Sequence, residues 1–194
     1  MKRRVVLLAS LRCCLLPGLS GTAVAQGFGI ARLQRLLQDA PQVAVRYTEL
    51  RESRWLAAPI ESSGTLRSTP TMLEKRVEQP RPETWRILDD RMQIGTPGAV
   101  GTREIMLDQA PAAAALAQTL RRVLAGELLA LHKDFRLELS GDERAWTLQL
   151  TPRQDDVARQ LKRIDLHGAG PRLLVMVILE TQGDRTTTRL IHTN

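Results

Sequence analysis

Two periodicities divide this chain. Over most of its length apolar and polar residues alternate, the pattern of strands with one dry and one wet face. The clearest examples are Phe135-Arg-Leu-Glu-Leu139, Trp146-Thr-Leu-Gln-Leu-Thr-Pro152, Ile164-Asp-Leu-His167, Leu173-Leu-Val-Met-Val-Ile-Leu179 and Arg185-Thr-Thr-Thr-Arg-Leu-Ile191. Turn chemistry separates them at Ser140-Gly-Asp-Glu143, Gly168-Ala-Gly-Pro171 and Gln182-Gly-Asp184. Connections this short join antiparallel neighbours, so the predicted sheet is a curved antiparallel meander.

The first half carries more strands of the same kind. They are predicted over Val43 to Arg54, Pro59 to Arg67, Met72 to Glu78, Thr84 to Leu88, Arg91 to Ile94 and Thr102 to Leu107. Met72 to Glu78 is charged, but Pro70 and Pro80 bracket it too tightly for a helix, which leaves a strand. Asp89-Asp90 is a turn between two of these strands. The second periodicity is helical. Phe28, Ile30, Leu33, Leu36 and Leu37 fall on one face, and Pro41 ends that helix. Leu116, Leu120, Val123, Leu124 and Leu131 form a second stripe. Its helix opens with Pro111 in the first turn, where a missing N–H costs nothing, and Gly126 kinks or breaks it. Residues Pro152 to Ala158 form a short polar helix. No repeat or linker follows residue 26, so the chain reads as one domain over 26–194.

Composition changes this picture at the N-terminus. Lys2, Arg3 and Arg4 precede the apolar run from Val5, and Ala23-Val-Ala25 has the form that signal peptidase cuts. Residues 1–25 are therefore expected to be a cleavable export signal and the location the periplasm. Cleavage removes Lys2, Arg3, Arg4 and Arg12 and no acid, leaving +3 of the +7 net charge. Without a basic stripe interleaved with aromatics, nucleic acid is not an expected partner. Cys13 and Cys14 leave as well, so the mature chain has no disulfide and no thiol nucleophile.

Candidate chemistry is sparse. His132, His167 and His192 have no ligand spacing, and no acid cluster stands with them, so no metal is expected. There is no Gly-x-Ser-x-Gly elbow and no phosphate-cradling glycine loop. Asp89-Asp90 and Asp155-Asp156 are neighbours in sequence and read as turn or cap acids. The chain reads as a non-enzyme without a cofactor. The run Leu173 to Leu179 is apolar at every position, so its outer face needs cover from the N-terminal helix, a partner or lipid.

The order of these segments resembles the outer-membrane lipoprotein carrier (LolA-like) family, in a divergent branch. The resemblance runs from Phe28 to Ile191. It begins with a helix before the sheet and continues through Leu56 to Arg67 and Pro70 to Arg76. Leu107-Asp-Gln-Ala-Pro111 then leads into helices, and Trp146 to Pro152, Ile164-Asp-Leu166 and Gly183 to Thr186 follow. It implies an α+β, mainly β fold: a half-open antiparallel β-barrel of about eleven strands with helices covering the open side. Between sheet and helices an apolar cavity would hold acyl chains, with no catalytic residues needed. Each methylene that leaves water contributes ~0.8 kcal/mol.

The expected lining is Trp85, Ile87, Ile94, Ile105, Leu107, Leu137, Trp146, Leu148 and Leu150 on the sheet. Leu116, Leu120, Val123 and Leu124 would form the helical lid. In related carriers a strand arginine latches the lid, and Arg76 or Arg67 would take that place. The implied activity is carriage of a lipoprotein or lipid from an inner-membrane transporter toward an outer-membrane acceptor. The alternative is an accessory subunit that stays docked on a lipid or glycolipid exporter. Aromatic residues are only 3% of the chain, fewer than such cavities usually use.

Overall fold

The computed structural model describes residues 27–39, 44–69, 71–98 and 101–192. The expected export signal, Pro41 and Pro70 lie outside these residues. Among the described residues, eleven strands follow the alternating segments. The first six are β1 (Ala44–Glu52), β2 (Ile60–Thr69), β3 (Met72–Gln79), β4 (Glu83–Ile87), β5 (Arg91–Gly95) and β6 (Arg103–Met106). The other five are β7 (Phe135–Gly141), β8 (Trp146–Pro152), β9 (Leu161–Ala169), β10 (Arg172–Glu180) and β11 (Arg185–Ile191). With them stand the α-helices α1 (Ile30–Gln38), α2 (Pro111–Leu124) and α3 (Asp155–Ala158). The segments Leu107–Gln109 and Leu128–Lys133 are 3-10 turns.

The strands form one antiparallel sheet in the order β6-β5-β4-β3-β2-β1-β11-β10-β9-β8-β7. Two meanders are joined where β1 pairs with β11. The edges, β6 and β7, do not pair with each other. The chain instead runs from one edge to the other through α2 and its flanking turns, so the helical segment spans the open side. This is the half-open barrel that the family resemblance implies. Boundaries differ: the polar helix expected from Pro152 begins at Asp155, and Leu107, expected in strand, opens a 3-10 turn, its N–H donating to Asp90 O at 2.9 Å.

Register assigns the faces. Val45, Tyr47 and Glu49 of β1 stand opposite Leu66, Gly64 and Ser62 of β2 and share the concave face. On β3 that face carries Leu73, Lys75 and Val77. On β10 a register shift between Leu173 and Val175 puts Leu173, Met176 and Ile178 inward. The outer residues of β10 are partly covered within the sheet itself. Val177, between Asp165 and Thr187, is 7% exposed, whereas Leu174 is 38% exposed. The N-terminal helix does not supply this cover, because Leu33 and Leu37 of α1 are buried in the interior core.

The core is dense under β7 to β9. There Leu148, Leu150, Ile164 and Leu166 are fully buried in one cluster with Val123, Leu124, Leu128 and Leu131. Trp146 lies against Gly168, where an added Cβ would sit 2.0 Å from the indole, and its Nε1–H donates to Gly170 O at 3.0 Å. Gly126 ends α2 with φ of 68°, the left-handed region that favours glycine.

Candidate functional site

Under β2 to β5 the packing is different. A cavity of about 220 Å³ lies between the concave face and the N-terminal half of α2. Its sheet side includes Leu66, Leu73, Trp85, Ile87 and Met92, with Met176 and Ile178 from β10. Its helix side is Ala113, Leu116, Ala117 and Leu120. On the helix side two alanines and two leucines share the lining, and the next turn buries Val123 and Leu124 in the core. A space of this size lined mostly by apolar groups offers water few hydrogen-bond partners.

One wall of the cavity is polar. Lys75 Nζ donates to Glu49 Oε1 at 2.8 Å and to Oε2 at 2.9 Å, and Thr188 Oγ1 donates to Oε2 at 2.9 Å. The ammonium also stands 5.0 Å from the centre of the Tyr47 ring. Burial, and then the Glu49 charge, push the Tyr47 phenol above the ordinary tyrosine range, so the ring stays neutral.

Ion pairs hold α2 in place. Arg121 Nη1 meets Asp89 Oδ1 at 2.6 Å, tying the helix to the β4–β5 turn. Arg122 Nη1 meets Asp134 Oδ2 at 3.0 Å and Ala130 O at 3.2 Å, tying it to the start of β7. A second space of about 330 Å³ lies along the seam between the sheet edges. Its wall includes Asp108, Gln118, Arg122, Asp134 and Asp156 and suits water better than hydrocarbon.

The residues picked out by sequence divide into groups. Trp85, Ile87, Leu116 and Leu120 line the apolar cavity. Ile94 and Ile105 share its face by register, beside Trp85 and Met92, but do not line it. Trp146, Leu148, Leu150, Val123 and Leu124 are buried in the dense core, with Leu137 packed against it. Leu107 lines the polar seam. Arg76 is exposed on the convex face, between Thr65 and Thr84 in register, and Arg67 is exposed too. Neither side chain stands on the face that α2 covers; the cation tied across to the sheet is Arg121 of the helix itself. Glu49, Lys75 and Thr188, with Leu66, Leu73, Met92, Met176 and Ile178, were not picked out. Alternation through Leu73, Lys75 and Val77 was the available signal for Lys75.

Among the described residues no group of three or more His, Cys, Asp or Glu side chains stands together as a metal site, and no helix is long and apolar enough to cross a membrane. Comparison with curated protein sequences finds no match. Among solved structures, the chain is similar to a LolA superfamily protein of Nitrosomonas europaea, with 11% identity, TM-score 0.45, and 84% of this chain and 90% of that one covered. An uncharacterized conserved protein of Thermus thermophilus aligns with 12% identity and TM-score 0.48, over 84% and 87% of the two chains. A putative outer membrane lipoprotein-sorting protein domain of Vibrio parahaemolyticus aligns with 12% identity and TM-score 0.45, over 84% and 89%. The family model described as outer membrane lipoprotein carrier protein LolA-like matches residues 22–193, and the chain belongs to that family.

Proposed function

We propose that this protein is a periplasmic carrier that shields the acyl part of a lipoprotein or lipid in the cavity under α2. It would receive that cargo from an inner-membrane transporter and pass it toward the outer membrane. The observation that carries this reading is the mostly apolar space of about 220 Å³ between Ala113, Leu116, Ala117 and Leu120 of α2 and the concave sheet. An apolar cavity of about 150 Å³ admits benzene, so this one takes a segment of roughly seven or eight carbons as it stands. At ~0.8 kcal/mol per methylene, that segment contributes about 6 kcal/mol. A longer chain needs α2 to move outward, and the short, partly exposed Arg121–Asp89 pair suits a helix that is held but releasable.

The second reading, a docked exporter subunit, drew on the outer face of Leu173 to Leu179. Val177 is buried there, whereas Leu174 is 38% exposed and Val175 and Leu179 are half-buried, so part of that face stays open. The test is chemical. Protein expressed with its export signal and purified from the periplasm is extracted with organic solvent, and the extract is read by mass spectrometry. An acylated molecule at near-stoichiometric level is expected. A repeatedly empty protein that takes up no fluorescent acyl probe would count against carriage.

A further inference from the structure

Hydrocarbon does not explain the polar wall. Glu49, Lys75 and Thr188 come from β1, β3 and β11 and meet at the edge of an otherwise apolar space. The Lys75 and Glu49 side chains are 26% and 18% exposed. Burying an ion pair costs desolvation that apolar residues of the same size would not incur, so it is a poor choice for packing alone. Glu49 accepts two bonds from Lys75 and one from Thr188, and the Lys75 ammonium has three N–H donors, of which two are directed to Glu49, so one N–H remains. The polar atoms of an acyl chain are carbonyl oxygens, which only accept, so the group on this wall that such a guest can use is that donor. The Tyr47 ring beside the ammonium helps to hold it in place.

Taking the cavity as an acyl site, as proposed above, we infer that Lys75 donates a hydrogen bond to the carbonyl oxygen of an ester-linked acyl chain, so that the cargo is an acyl ester rather than a free fatty acid. The ion pair makes the choice between the two. Lys75 and Glu49 together are neutral, and a free carboxylate at Lys75 would lie close to the Glu49 charge in a poorly screened site. An ester carbonyl takes the same hydrogen bond without that repulsion. Lys75 is thus a specificity-determining residue, and its neighbours Glu49 and Thr188 position it.

The test compares methyl palmitate, palmitate and hexadecane as competitors for a bound fluorescent polyene ester, at neutral pH. A hydrogen bond from a charged donor predicts that methyl palmitate binds about tenfold more tightly than hexadecane, with palmitate weaker than the ester. In Lys75→Met the ester should fall to the level of hexadecane. Because that variant leaves Glu49 without its cation, Lys75→Met/Glu49→Leu serves as the neutral companion without a donor: hexadecane should bind it as it binds the parent, and the ester no better. Equal binding of ester and hexadecane by the parent protein overturns this inference and leaves the acyl cavity standing. So does palmitate binding more tightly than its ester, or an ester preference that survives in the double variant. If none of the three competitors binds, the acyl cavity itself falls and this inference with it.

Discussion

Filling the cavity from the helix side separates binding from folding. Ala117 is 7% exposed on the inner face of α2 and lines the space. Ala117→Phe adds a six-carbon ring, and since a cavity of about 150 Å³ is enough for benzene, the ring takes more than half of the room. It thereby displaces about six methylenes of cargo, a ceiling of ~5 kcal/mol. Cargo that shifts partly outward, with α2 displaced, recovers some of this. A loss of about 3 kcal/mol, on the order of a hundredfold in Kd, is the expected outcome. Stability should move the other way or hardly at all, because a ring placed in a void gains contacts, with roughly 0.5–2 kcal/mol typical of successful cavity filling. Displacement of a fluorescent acyl probe gives the Kd, and urea unfolding gives the stability. A variant that folds normally and binds the probe within about twofold of the parent would refute the assignment of this cavity as the acyl site.

The remaining predictions address the lid, the helix stop and the N-terminal tether. Asp89→Ala removes the acceptor of the Arg121 bond; with Asp89 74% exposed the pair is worth at most about 1 kcal/mol. Stability should barely change while stopped-flow acyl exchange speeds up several-fold, and unchanged exchange would show that α2 is not the moving part. Gly126→Ala forces a left-handed conformation that costs an L-residue about 1–2 kcal/mol. It also sets a Cβ 2.9 Å from the Gln38 backbone nitrogen, so urea unfolding should show a loss of about 2 kcal/mol or more. Arg32 bonds Glu143 at 2.6 Å and holds that carboxyl below the usual glutamate range. Its contribution is therefore complete above the unfolded glutamate pKa and lost as pH falls through the depressed folded value. The protection of α1 against hydrogen exchange, corrected for the intrinsic exchange rate at each pH, should fall with acid in the parent and lose that dependence in Glu143→Gln. Asp142, also lowered by the Ala145 and Arg144 N–H groups, should keep its own acid response within the β7–β8 turn.

Much of the fold was legible because its strands are amphipathic and its turns are chemically explicit. Met72–Gln79 shows the strength of such reasoning: its composition is charged, yet flanking prolines excluded a helix, and the structure has a strand there. Pro111 and Gly126 likewise bound α2 as expected. The site was less legible. Alternation says which face a residue takes, but not whether the space above that face is full. Trp146, Leu148 and Leu150 share the inward orientation of Trp85 and Ile87, yet the first set is buried in the dense core and the second borders the cavity. The expected latch residue, Arg76, stands on the convex face. Arg76 lies one residue from Lys75, and a shift of one position along a strand reverses the face.

The central claim is that an acyl chain occupies the space between α2 and the concave sheet. A palmitoyl ester carrying a diazirine at its mid-chain carbon, bound and photolysed, tests this most directly through peptide mapping of the adducts. The account predicts labelling at Trp85, Ile87, Met92, Leu116 and Met176, lost in Ala117→Phe. Adducts confined to the convex face, around Leu174 or Arg76, with the cavity residues unlabelled, would contradict it.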